Sequence, residues 1–315
     1  MKILIVGAGA TGGYFGALLT RAGRDVTFLV HPHRAEVLRT RGLRIVATGD
    51  AWAVQPQLVT ADQLTETFDL VVLSVKATAL RSAIDDLAPA VGPQTMIVPF
   101  LNGIGHLDAL QARFGPSTVM GGVVKVATQL NEEGDIVQVA PGASLLFGAL
   151  DGPDTSGAQA AHAALDGAGF DVGISDNIMA GMWHKWVFIA TLGALTCLMR
   201  SSVGDIAAEP GGRDLATGIL AEAAAVASAA GYQLPPVELG TTATMITETG
   251  SPLTSSMFRD LATQRHTEVE HILGDLTFRA RNLAVPTPLL DSAVLHLRVY
   301  ERRLAAWERQ QADRP

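Results

Sequence analysis

Only one cysteine, Cys197, occurs in the 315 residues, so no disulfide can close within the chain. It stands in an apolar run, and a free cysteine in such text is read as a buried packing residue rather than a nucleophile. Aromatic residues are few, at 5%, and charged residues make up 17% against 48% hydrophobic. Alanine and glycine are plentiful in their place, a mix that suits helices packed closely on a sheet. Basic residues are outnumbered, 23 Lys and Arg against 31 Asp and Glu, for a formal net charge of -8. That argues against the basic footprint of a nucleic-acid binder, and the acidic balance bears on solubility rather than fold. No apolar run continues for the roughly 18 residues of a membrane span. Met1-Lys2 leads directly into Ile3-Leu4-Ile5-Val6, too short for the apolar region of a signal peptide. His106, His184, His266 and His271 lack metal-ligand spacing, so no metal is expected. The expectation is a cytoplasmic protein with neither nucleic acid nor membrane as a partner.

At roughly 100–200 residues per domain, this length suggests two domains. Residues 2–6, 25–30, 70–75 and 96–99 read as buried parallel strands, with helices at 11–22, 78–88 and 105–113 between them. Such alternation predicts a doubly wound α/β sheet. The pattern then changes. Residues 119–129 and 136–139 flank an Asn131-Glu132-Glu133-Gly134 turn and predict a hairpin, followed by short strands at 144–148 and 170–174 around a helix at 155–167. From residue 178 the text is helical: 214–230 stopping at Gly231, a segment starting at Pro235-Pro236, continuous periodicity over 255–283, and a last helix over 286–310. The domain boundary is placed near 177, giving domains 1–177 and 178–315.

Gly7-Ala8-Gly9-Ala10-Thr11-Gly12 is a G-x-G-x-x-G string. Its place between the first strand and the first helix gives it weight as a dinucleotide fingerprint. Gly7 permits the tight turn, Gly9 lets backbone approach a pyrophosphate, and Gly12 lets the helix lie close to the sheet. The helix-start amides would then face the phosphates. NAD binders usually carry an acid ~20 residues on, at the end of the second strand. Here the text is Val30-His31-Pro32-His33-Arg34, with no acid. Arg34 could grip a 2′-phosphate, so NADPH/NADP+ is the expected cofactor. The alternative is that Arg34 is a solvated residue at a helix start.

Three polar residues stand in apolar or strand-end text. Lys185 lies in Trp183-His184-Lys185-Trp186-Val187-Phe188-Ile189, where a partly buried ammonium could protonate a carbonyl oxygen as hydride reaches the carbon. It could equally be a lysine snorkelling from a helix edge. Glu268 would hold that ammonium in place, or else belong to a solvated helix face. Asn102 follows the fourth strand directly, where α/β sheets bind ligands, although Asn102-Gly103 also suits a plain turn.

Together these residues resemble the ketopantoate reductase (2-dehydropantoate 2-reductase) family, over nearly the whole chain. The marks are Gly7-x-Gly9-x-x-Gly12, Ser74-Val75-Lys76, Leu101-Asn102-Gly103, Trp183-x-Lys185, and Ser255-Ser256-Met257-x-x-Asp260 followed by Arg265-x-Thr267-Glu268. The resemblance implies a Rossmann domain followed by an all-helical domain like the C-terminal one of 6-phosphogluconate dehydrogenase, serving substrate binding and dimerisation and allowing a homodimer. It implies NADPH reduction of a 2-oxo acid to a 2-hydroxy acid, first of all 2-dehydropantoate to pantoate in pantothenate biosynthesis. By matching motif, Lys185 is the general acid with Glu268 beside it. Asn102 fixes substrate and nicotinamide, Ser256 binds substrate, and Lys76 lies near the cofactor with Gly7, Gly9, Ala10, Thr11 and Gly12. The chain departs from the family at two places. Asparagines four and eight residues past the lysine are replaced by Ile189 and Gly193, and the adenosine-phosphate arginine position holds His31, with Arg34 nearby. Residues 185, 189 and 193 share one helical face, so Ile189 and Gly193 are expected to flank the substrate cavity, with Gly193 leaving space. The alternatives are a paralogous reductase of a less polar carbonyl and an NADP-sensing module without turnover, which would need none of Lys185, Glu268 and Ser256.

Overall fold

The computed structural model describes residues 1–47, 50–152 and 155–312. It divides into two compact units, Met1–Met182 and Trp183–Pro315.

The first unit runs β1 (Lys2–Val6), α1 (Ala10–Arg21), β2 (Asp25–Leu29), α2 (Pro32–Arg41), β3 (Leu43–Ala47), β4 (Asp50–Val54), β5 (Gln57–Val59), β6 (Phe68–Leu73), α3 (Leu80–Leu87), β7 (Val91–Pro99), α4 (Gly105–Phe114), β8 (Met120–Leu130), β9 (Ile136–Ala149), α5 (Thr155–Leu165) and β10 (Asp171–Ile174). Five strands form one parallel sheet in the order β5-β2-β1-β6-β7. Numbered within that sheet the order is 3-2-1-4-5, the Rossmann winding, with its switch point between β1 and β6. The continuous apolar runs follow from burial on both faces: Ile3, Leu4, Ile5, Leu70 and Val71 are fully buried. Each such side chain contributes about 1.5–3 kcal/mol of apolar burial.

A second sheet is built around β9. Antiparallel β8 lies along one edge; β3 pairs in parallel with Ile136 and Val137 and β10 with Ser144 to Phe147 on the other, and β4 pairs antiparallel with β3. The sequence reading did not anticipate β3, β4 or β5, and it split β9 in two. The pairing instead shifts between Val126 and Thr128 of β8, whose partners are Ala143 and Gln138. The exposed Pro141 falls within that irregularity, where no ladder hydrogen bond is required of it.

α6 (Ile178–Met199) crosses the division between the units. The second unit adds α7 (Val203–Ala208), α8 (Gly212–Ala229), α9 (Pro236–Thr247), α10 (Ser256–Ala262), a π-turn at Glu270–Gly274, α11 (Asp275–Asn282) and α12 (Pro288–Ala312). α6 is long and apolar enough to cross a membrane, and 61% of its apolar window is buried in the fold. The periodic stretch 255–283 is not one helix. α10 stops at Ala262, Gln264 takes a left-handed φ of 54°, and helix resumes only past Glu268. The bidentate pair of Arg298 Nε and Nη2 with Glu270, both at 2.7 Å, fastens the π-turn to α12.

Candidate active site

The first unit places the nucleotide-type residues at the carboxyl ends of adjacent strands. Gly7 leaves β1 with φ +94°, and a Cβ there would stand 2.7 Å from Ser74 O, so the turn is restricted to glycine. A Cβ on Gly12 would lie 2.7 Å from Ser74 Cβ, which explains the close approach of α1 to the end of β6. Gly9 differs: its Cβ would meet nothing within 4 Å. Gly9 is also the N-cap of α1, with no side-chain cap and no acid in the first turn. Among the described residues the helix therefore starts without a side-chain cap on its first amides, beside a backbone position open to a ligand. Glycine loop and helix start together form a cradle that fits a dinucleotide pyrophosphate.

Ala10 and Thr11, both part-exposed, open α1. Lys76 stands exposed just past β6, as the N-cap of a short 3-10 turn. Asn102, part-buried, follows β7 and precedes Gly103, whose φ is 70°. His31 is the exposed N-cap of α2. Arg34 lies half-buried one turn into that helix, and its Nη2 donates to Ala8 O and Gly134 O, each at 3.2 Å. Burial pulls its pKa below the usual arginine value, and the nearby Asp135 carboxylate opposes that shift.

The second unit gathers the remaining residues around α6. Lys185 is part-buried, between Trp183 at 2% exposure and the fully buried Trp186. Trp183 stacks on Tyr232 with ring centroids 5.6 Å apart, and Trp186 Nε1 donates to Ile272 O at 2.9 Å. Ile272 N in turn donates to Glu268 O at 3.0 Å. The turn carrying Lys185 and the turn carrying Glu268 are thus tied through neighbouring residues. The approach to Glu268 is fixed from α12. The N–H and hydroxyl of buried Thr267 donate to Glu301 Oε1 at 2.7 and 2.8 Å, and His266 Nδ1 meets Glu301 Oε2 at 2.6 Å. Burial raises the Glu301 pKa, but the bonds from His266 and Thr267 outweigh it and leave the carboxyl below its ordinary value.

Ser256 is the exposed first residue of α10. Its neighbour Ser255 is the buried N-cap, bonded to Thr196 on α6 at 2.8 Å and accepting from Phe258 N at 2.9 Å. Thr196 lies three turns past Lys185, so the start of α10 packs on the face that carries Lys185, Ile189 and Gly193. Ile189 is part-buried on that face. Gly193 does not leave the expected space. A Cβ there would run into Met257 Cε, and Met257 is only 2% exposed, so a thioether methyl fills the position. In the sequence Met257 is only a letter of the Ser255-Ser256-Met257 motif, and its spacing carries no sign of that packing. Cys197 is fully buried, and burial pushes its thiol up to about 12, so it is not a thiolate at neutral pH.

A Rossmann nucleotide cradle followed by a helical unit with a part-buried lysine defines a two-domain dehydrogenase-like oxidoreductase. The family models for ketopantoate reductase PanE/ApbA and its C-terminal region match residues 3–152 and 177–301. The chain is 34% identical to the uncharacterized oxidoreductase YkpB of Bacillus subtilis (strain 168), over 96% of this chain and 99% of that protein. The PanE/ApbA family ketopantoate reductase from Ralstonia eutropha JMP134 superposes with a TM-score of 0.86 at 27% identity, covering 97% and 100% of the two chains. D-mandelate dehydrogenase, solved with NADH and anilino(oxo)acetate, shares the fold with a TM-score of 0.87 at 24% identity, covering 97% and 100%. The chain belongs to the ketopantoate reductase family, a family of oxidoreductases that reduce 2-oxo acids.

Proposed function

We propose that this protein reduces a 2-oxo acid to the 2-hydroxy acid with NADPH, with 2-dehydropantoate as the first candidate substrate, as a cytoplasmic homodimer. The observation that carries the reading is the open cradle at Gly9, ahead of the uncapped amides of α1, in a chain of this family. A bound nicotinamide supplies hydride to the carbonyl carbon. Lys185 holds the proton for the carbonyl oxygen, in a turn whose flanking tryptophans are buried. Glu268 keeps that ammonium oriented, Ser256 and Asn102 bind the substrate, and Lys76 lies toward the cofactor. The preference for NADPH is supported by the strand end at Val30 to His33, which carries two histidines but no carboxylate to accept ribose hydroxyls or repel a 2′-phosphate.

A second reading is favoured by the face of α6 beyond Lys185. Ile189 offers no hydrogen bond to the polar arm of ketopantoate, and buried Met257 closes the position at Gly193 where the family's second amide would stand. A less polar 2-oxo acid suits that surface, and the fold shared with D-mandelate dehydrogenase is in keeping with one. An apolar site discriminates only weakly in favour of a hydroxyl. The test is an NADPH-oxidation screen over ketopantoate and branched or aromatic 2-oxo acids, repeated with NADH. Ketopantoate turning over at about 10⁴–10⁸ M⁻¹s⁻¹ in kcat/KM, above every other acid, supports the first reading. A faster apolar acid supports the second. No turnover with any oxo acid, or equal dissociation constants for NADPH and NADH, refutes the corresponding part of the proposal.

A further inference from the structure

Arg34 is engaged in a way the phosphate-grip reading does not require. Its Nη2 joins two main-chain oxygens, Ala8 O in the glycine loop and Gly134 O at the tip of the β8–β9 turn. That tip is itself fastened. Asn131 N donates to Asp135 O at 3.0 Å, Gly134 N to Asn131 O at 3.1 Å, and Asp135 N to Asn131 Oδ1 at 2.8 Å. From α2 and β3, Arg41 donates to Glu133 O, and Arg41 Nη2 and Arg44 Nε meet the Asp135 carboxylate at 3.1 and 3.3 Å. The next residue, Ile136, places its Cδ1 2.5 Å from where a Cβ on Gly13 would stand, so the base of the hairpin also backs the first turn of α1. The hairpin thus braces the glycine loop by packing at Gly13 and through Arg34 at Ala8.

The peptide joining Ala8 to Gly9 is planar and trans, so its oxygen and the Gly9 N–H point in opposite directions. Holding the oxygen of Ala8 therefore aims the amide of Gly9. We propose that Arg34 is a positioning residue for the pyrophosphate cradle, a latch from the hairpin tip to the glycine loop, and not the group that tells NADPH from NADH. The inference rests on the nicotinamide reading above. The pyrophosphate is common to both cofactors, so loss of the latch weakens both alike. A grip on the 2′-phosphate would weaken NADPH alone.

The experiment measures dissociation constants for NADH and NADPH by nucleotide fluorescence, with the unfolding temperature, for the unmodified protein, Arg34→Met and Arg34→Lys. Arg34→Met keeps the length of the side chain and removes its donors. It should raise both constants about tenfold and leave their ratio within about twofold, the size expected for losing hydrogen bonds from a charged donor. Arg34→Lys should recover part of the loss for both, since an ammonium still donates to a carbonyl; if Arg34→Met does not fold, the ratio in Arg34→Lys decides the matter. A loss confined to NADPH would overturn the latch in favour of a phosphate grip. Unchanged constants in a folded Arg34→Met protein with a lowered unfolding temperature would also overturn it, by leaving a purely structural role. An unmodified protein that binds neither cofactor would refute the nicotinamide reading and the latch with it.

Discussion

Replacing Gly193 with asparagine, the residue the family usually has two turns past its lysine, should destabilise this protein. The new side chain must displace Met257 Cε, and Met257 is 2% exposed, so its methyl has no solvent to move into. Overpacking a filled core costs about 1–3 kcal/mol. The obstacle is the far end of a flexible methionine, which lowers the expected cost to about 2 kcal/mol. For a helical unit of this size that is a drop of about 4–10 °C in unfolding temperature, readable by circular dichroism or calorimetry. Met257→Ala alone should cost about 2–5 kcal/mol by leaving a cavity. The double variant should cost less than the sum of the two, by about 1–2 kcal/mol, because the asparagine occupies what the methionine vacated. An unfolding temperature unchanged in Gly193→Asn, or costs that add to within about 0.5 kcal/mol, would refute the packing argument. Ile189→Asn makes the contrast. That position is part-buried, so it should be tolerated and should raise kcat/KM for ketopantoate relative to a less polar 2-oxo acid.

Lys185→Ala should lower kcat about 10²–10⁴-fold with little change in cofactor affinity, and near-normal turnover would show that the proton comes from elsewhere. The His266 pKa is raised by its hydrogen bond to Glu301 and then by Glu308, against a small opposing effect of burial. Its folded value therefore lies above its unfolded one, so its stabilisation is complete below about pH 6.5 and is lost as pH rises through the raised value. The unfolding temperature should fall across that window in the unmodified protein and less so in His266→Gln; parallel curves would rule the linkage out. Cys197 should resist a thiol reagent in the native protein and react on unfolding, and rapid native labelling would contradict its burial.

Much of the nucleotide half was legible in the sequence because it depends on local rules. A buried parallel strand, a glycine turn and a helix start follow one another within twelve residues, and no distant contact is needed to recognise them. The strands β3, β4 and β5 escaped because they are short and mostly part-exposed, so their apolar residues neither run continuously nor alternate cleanly. The break between α10 and the helix past Glu268 escaped for another reason. What ends the periodicity is Glu301, more than thirty residues on, binding the backbone and hydroxyl of Thr267, with Tyr300 bonding Arg265 O. Lys185, Glu268 and Ser256 could be named from motif order, but the packing of Met257 over Gly193 depends on how α10 meets α6. For Arg34 the sequence offered a phosphate grip, and the partners it has in the structure are carbonyls that no side-chain pattern reveals.

The π-turn at Glu270–Gly274 amounts to one residue more than a regular helix would spend on that stretch. Each residue advances an α-helix by about 100°, so the surplus sets the segment before it out of phase with the segment after it by that angle. Excising one residue between 270 and 274 would restore a uniform helix and swing Glu268 about a quarter-turn relative to α11. Helix content would barely change while the carboxylate proposed to orient Lys185 turned away. In this chain the bearing of a carboxylate is written as a count of residues, and Arg298 clasps Glu270 at the first of the five that carry the surplus.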